Sequence, residues 1–80
     1  MKIDPSSALE FLADGQAKDY SNHQPDGIAG FTPTTGGTIS FISENGEVFT
    51  DIPVQAGNPP PWRGKINFTA ITGTSLIIGL

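Results

Sequence analysis

The sequence predicts a small all-β domain, an antiparallel five-stranded sandwich or barrel, on three observations. Between Gly27 and Leu80 the apolar residues fall in short runs separated by turn residues, two of those runs alternate with the period of a strand, and an Asn-Gly step at Asn45-Gly46 stands between two of them. Ten glycines and seven prolines among 80 residues, with many threonines and few good helix formers, argue for turns and strands over helices.

Each strand is read from its residues. Gly27 to Phe31 is a short first strand closed by Thr32-Pro33 and Gly36-Gly37. Thr38 to Ser43 alternates, with Ile39 and Phe41 on one face. Glu44-Asn45-Gly46 then turns the chain, because an Asn-Gly step suits the positive φ of a tight hairpin. Glu47 to Val54 places Val48, Thr50, Ile52 and Val54 on one face and Phe49 on the other, and Pro53, which donates no ladder hydrogen bond, marks an edge or bulge. A stiff connection, Ala56-Gly57-Asn58-Pro59-Pro60-Pro61, leads to Trp62 to Thr69, with Trp62, Gly64, Ile66 and Phe68 facing one way. Thr72-Gly73 makes the last turn and Thr74 to Leu80 closes the sheet.

Before Asp26 the apolar residues lose this order, so residues 1–26 are expected to be an arm and 27–80 the folded β domain. Ile3, Leu9, Phe11, Leu12 and Tyr20 are the arm residues expected to dock on a partner. The arm holds one helix candidate, Pro5 to Asp14, with Asp4 as cap, Pro5 at the first helical position and Gly15 as stop. An extended arm ordered on a neighbour accounts for the same residues.

Composition bounds the function. Eight acidic against four basic residues give a net charge of −4, the reverse of a phosphate-binding surface, so no nucleic-acid partner is expected. The longest apolar cluster, Leu76-Ile77-Ile78 with Leu80, is far short of the roughly 20 residues of a membrane span. No apolar run of signal-peptide length follows Met1, and the chain is expected to stay in the compartment where it is made. With no cysteine and a single histidine, His23, neither a thiolate metal site nor a paired nucleophile and base is in prospect. Glu44, Glu47 and Asp51 cluster around the hairpin, but turn-flanking acids are as a rule solvated. An enzyme, a cofactor and a metal are therefore not expected.

Two features point to contacts. Phe49 and Ile77 stand off the main alternation and imply apolar side chains on both sides of the sheet, one of which needs a neighbour such as a ring of about three to six copies of the chain. Pro60 and Trp62 form a stiff proline turn presenting an indole, either a partner contact or an anchor of the loop to the core. An exposed Trp62 also suits a sugar ring, which keeps a small carbohydrate- or ligand-binding β module open as the alternative.

From Gly46 onward the features run in this order: Gly46-Glu47-Val48-Phe49-Thr50-Asp51-Ile52-Pro53, Ala56-Gly57, a proline loop, Arg63-Gly64-Lys65-Ile66, then Thr72-Gly73-Thr74-Ser75-Leu76-Ile77-Ile78-Gly79-Leu80. This stretch resembles the spike base proteins of tailed phages and gene transfer agents, small capsid-vertex proteins with a similar strand, turn and apolar C-terminal strand. Asp26-Gly27-Ile28 is similar to their Arg-Gly-Leu first strand, with the charge reversed. Pro59-Pro60-Pro61 replaces a shorter segment, and Ala56-Gly57 comes one residue later after Pro53. The resemblance implies a non-enzymatic virion protein, a capsid decoration or head spike base. It also implies a homo-oligomer docked on a major capsid or other virion protein, carrying a spike or fibre. A tail or baseplate component is the nearest variant of that expectation.

Overall fold

Among the described residues seven strands, all paired antiparallel, divide into two sheets: β1 (Leu9–Leu12), β2 (Lys18–Asp19), β3 (Gly30–Pro33), β4 (Gly37–Ile42), β5 (Val48–Val54), β6 (Asn67–Thr72) and β7 (Leu76–Gly79). One sheet has the order β1-β7-β3 and the other β2-β6-β4-β5. Only the connections β4–β5 and β5–β6 stay within a sheet, and every other link crosses to the opposite layer. The computed structural model describes residues 9–23 and 26–80. The all-β sandwich is as the sequence predicts, with two strands more than expected.

Both extra strands come from the segment expected to be an arm. Leu9–Leu12 is extended where a helix was a candidate, and it pairs with β7 from Leu9↔Gly79 to Leu12↔Leu76. A short isolated helix is marginal in water, whereas a strand here fills a free edge of β7 and satisfies both backbones. Residues 5–8 of the helix candidate, and Ile3, lie outside the described residues. Leu12 and Tyr20 are buried at 3% and 2% exposure. Residues 9–20 are thus part of the sandwich, and the division at Asp26 does not separate an arm from a body.

The core lies between the sheets. Leu12, Phe31, Leu76 and Ile78 of the first sheet meet Ile39, Phe41, Val54, Phe68 and Ile71 of the second. Phe31 and Phe68 join the layers edge to face, with centroids 5.1 Å apart and planes at 86°.

Two bulges decide which residues reach that core. Opposite Ser40 of β4 both neighbouring strands carry an extra residue: Ile39 pairs Ile52 and Phe41 pairs Phe49 on one side, while Ser40 pairs Ala70 and Phe41 pairs Phe68 on the other. An extra residue reverses the in-out parity of the strand. Phe49 and Ile52, and likewise Phe68 and Ile71, stand three positions apart and all four pack on or in the core. Asp51 takes the strained position of its bulge, at φ 52°, and its backbone N–H donates to Ser40 Oγ at 3.0 Å. The expectation that Val48, Thr50, Ile52 and Val54 share one face therefore fails at this bulge, and Val48 is 71% exposed.

Other boundaries shift for local reasons. The first expected strand begins at Gly30 because Ile28 instead bridges Gly64, with Ile28 N–H to Gly64 O at 2.8 Å and Gly64 N–H to Ile28 O at 2.9 Å. The fourth begins at Asn67, after Gly64 has turned the chain at φ 98°. In the β4–β5 turn only Gly46 has positive φ, 85°, and its N–H donates to Ser43 O at 2.9 Å, which is a type I turn followed by a left-handed glycine. Pro53 and Pro33 both lie on edge strands, where a missing donor is tolerated. Threonines fasten the corner where β3–β4 and β6–β7 change sheets: buried Thr74 donates to Thr35 O at 2.7 Å, and Thr35 Oγ1 donates to Gly73 O at 2.9 Å.

Candidate functional site

Three features of the described residues could do more than hold the fold. The first is the outer face of the β1-β7-β3 sheet. Its inner face carries Glu10, Leu12, Leu76, Ile78, Phe31 and Pro33, so by the alternation of strands the outer face carries the intervening residues. They form two cross-strand rows, Phe11–Ile77–Thr32 and Leu9–Gly79–Gly30. Leu9 and Phe11 are 59% and 60% exposed and Ile77 is 41% exposed. No residue in either row is charged.

The second is a cleft of about 310 Å³ whose lining includes Glu44, Glu47, Phe49, Pro61, Trp62 and Arg63. Its aromatic floor is built from the core outward. Phe49 stacks on buried Phe41 at 4.7 Å and 21°, and Trp62 packs on Phe41 at 5.1 Å and on Phe49 at 5.6 Å. The Glu44 carboxylate reaches across from the hairpin and accepts the Lys65 backbone N–H at 3.2 Å. Trp62 is thus a half-buried anchor of the proline loop, and Pro60, also half-buried, flanks it in a second groove with Pro53 and Val54. Phe49, expected to face a neighbouring subunit, instead turns inward through the Asp51 bulge.

No protein family matches this chain, and no curated protein and no solved structure matches it either.

The third feature is a polar clasp between the sheets that the sequence did not disclose. Glu10 on β1 accepts hydrogen bonds from Lys18 Nζ at 2.6 Å and from the Tyr20 hydroxyl at 2.5 Å, both from the strand and turn of the opposite sheet. Lys18 and then Tyr20 hold the Glu10 carboxyl below its ordinary value of 4.5. Burial, reinforced by the same carboxylate, holds the Tyr20 phenol well above its ordinary range, so it stays protonated and donates. The Glu10 side chain is 34% exposed, and the clasp is worth about 1 kcal/mol. A carboxyl whose folded value is lowered adds stability above its unfolded value and loses it as pH falls through the folded one. The stability gap between the native chain and Glu10→Gln should therefore be about 1 kcal/mol at pH 6 and close as pH falls from about 4.5 downward. Thermal melts across that range test this, and a gap constant with pH contradicts it.

Of the expected contact residues, then, Leu9, Phe11 and Ile77 come together on one exposed face. Leu12 and Tyr20 are spent in the core, Phe49 and Trp62 form the cleft, and Ile3 is outside the described residues. His23 belongs to a turn, its N–H donating to Tyr20 O at 3.0 Å and its carbonyl accepting Gly27 N–H at 2.9 Å. Among the described residues no group of three or more His, Cys, Asp or Glu is placed to hold a metal ion.

Proposed function

We propose that this chain is a non-enzymatic structural protein of a virus particle, a capsid-bound decoration or head spike base that associates with its own copies and anchors a spike or fibre. The observation that carries the assembly role is the outer face of the β1-β7-β3 sheet, with Leu9, Phe11 and Ile77 exposed side by side and no charge between them. Contiguous exposed apolar side chains flanked by a sheet edge mark a contact surface, because solvating them costs about 1.5–3 kcal/mol each relative to burial. The likeness of Gly46 to Leu80 to the spike base proteins supports the capsid as the larger assembly.

The test is made on particles from producing cells. The chain should travel with them through a density gradient, and a Phe11→Ser, Ile77→Ser double variant, which alters only exposed side chains, should fold but leave the particle fraction. A native chain found only among soluble proteins while particles assemble contradicts the proposal.

One observation favours a second reading, a ligand-binding β module. The Phe49–Trp62 floor rimmed by Glu44, Glu47 and Arg63 has the mixture of aromatic face and polar edge that suits a sugar. Titration of Trp62 fluorescence with a panel of saccharides separates the two, since the assembly role predicts no saturable change.

A further inference from the structure

Three steps in this chain place a glycine directly after an asparagine or aspartate: Asp14-Gly15, Asp26-Gly27 and Asn45-Gly46. At such a step the glycine backbone nitrogen can attack the preceding side-chain carbonyl carbon, because no Cβ obstructs its approach. Asn58 precedes a proline, which has no N–H, and Asn22 and Asn67 precede the bulky His23 and Phe68. All three glycine nitrogens donate a hydrogen bond in the fold, but they differ in what must move to release them. Gly15 N–H donates to Ile71 O at 2.9 Å, and Asp14 is tied down as well, its N–H donating to Ser75 Oγ at 3.2 Å and its carboxylate accepting Gly73 N–H at 3.1 Å. Gly27 is buried, donates to His23 O at 2.9 Å and has the Gly64 carbonyl packed where its Cβ would lie. Gly46 N–H donates to Ser43 O at 2.9 Å, a bond that lies wholly within the turn whose residues Glu44, Asn45 and Gly46 are all exposed. Nothing lies within 4 Å of its Cβ position.

We propose that Asn45 is a site of spontaneous covalent modification in the folded chain, converting through a succinimide to aspartate and isoaspartate, while the sandwich holds Asp14 and Asp26 unreactive. Gly46 N gives up its proton and bonds to Asn45 Cγ, the bond from Cγ to Nδ2 breaks, and ammonia leaves carrying that proton. Water then opens the ring. Addition at Cγ leaves an ordinary aspartate, and addition at the main-chain carbonyl leaves isoaspartate, whose backbone runs through the side-chain carbon. Water is the only co-reactant, and nothing is oxidised or reduced. Both products set a new carboxylate beside Glu44 and Glu47 on the wall of the Phe49–Trp62 cleft, which Asn45 lines. Isoaspartate also adds a methylene to the backbone of the turn, where Gly46 N–H reaches Ser43 O and Ser43 N–H reaches Glu47 O. Releasing one exposed turn bond slows the reaction by about tenfold at most relative to the unfolded chain. Releasing Gly15 or Gly27 opens contacts on which the sandwich depends, and slows it by about a hundredfold or more.

The test incubates the full chain at neutral pH, folded and unfolded in urea side by side. Peptide mapping by mass spectrometry follows loss of the Asn45 amide, and labelling with an isoaspartyl methyltransferase locates isoaspartate at each of the three steps. The folded chain should convert at Asn45 within about tenfold of the unfolded rate, and should label there and not at Asp14 or Asp26. Asn45→Gln, which lengthens an exposed side chain by one carbon, should remove the acidic species that anion exchange resolves from the aged native chain. Asn45 that stays intact in the folded chain while the unfolded chain converts overturns the proposal. Isoaspartate forming at Asp14 or Asp26 as fast in the folded chain as in urea overturns the protection assigned to the sandwich. An acidic species that forms at the native rate in Asn45→Gln overturns the assignment to Asn45.

Discussion

A chain lacking residues 1–23 is expected to have no cooperative melting transition. The segment carries β1 and β2, which cover one edge of β7 and one edge of β6. It also carries Leu12 and Tyr20, core residues at 3% and 2% exposure, and the Glu10 carboxylate that clasps the sheets together. Removing two large buried side chains costs about 2–5 kcal/mol each, against a total of about 5 kcal/mol for a domain of this size. The deletion also bares one side of Phe68, whose ring meets the Tyr20 ring edge-on at 6.0 Å and 83°. Circular dichroism against temperature checks this. A sharp transition within a few degrees of the native midpoint would show that the β1 and β2 pairings contribute little, and would restore the view of this segment as an appended arm.

Gly27→Ala is expected to lower the melting midpoint by about 12–24 °C, the equivalent of about 3 kcal/mol in a small domain. At φ 80° alanine is strained, and its Cβ would lie 2.1 Å from Gly64 O and 2.6 Å from Lys65 N. Relief requires Gly27 and Gly64 to separate, which breaks the pair of hydrogen bonds joining Ile28 to Gly64. Those bonds tie the segment before β3 to the segment before β6, and so link the two sheets. Gly15→Ala isolates the backbone component, because Gly15 has φ 85° but nothing within 4 Å of its Cβ position. It should cost only about 1 kcal/mol. Equal losses in the two variants would show that the contact at Gly64 yields easily.

What was legible in the sequence, and what was not, follows from how each signal is encoded. Ile39 and Phe41 alternate strictly, and the strand around them is where expected, as is the hairpin at Gly46. The bulged strands misled because strict alternation assigns Phe49 and Ile52 to opposite faces. The three-residue spacing of Phe49/Ile52 and of Phe68/Ile71 was itself a sign of an extra residue in each strand. β1 and β2 were missed because four and two residues are too short to show a period. Their stability comes from pairing with β7 and β6, strands more than forty positions away. Ile77 stands off the main alternation in the sequence, and it faces outward in the sheet. Its partners Leu9 and Phe11 share one expected docking set with Leu12 and Tyr20, and the apolar content of the segment does not distinguish the two that are exposed from the two that point inward.

The central proposal is that the outer face of the three-stranded sheet is where this protein meets its own kind. Amide and methyl spectra of the full chain, recorded as concentration rises, examine that face residue by residue. The account predicts concentration-dependent shifts concentrated at Leu9, Phe11, Gly30, Thr32, Ile77 and Gly79, with the Trp62 indole and Phe49 unmoved. Shifts centred on Trp62 and Phe49, or none at any concentration, would contradict it.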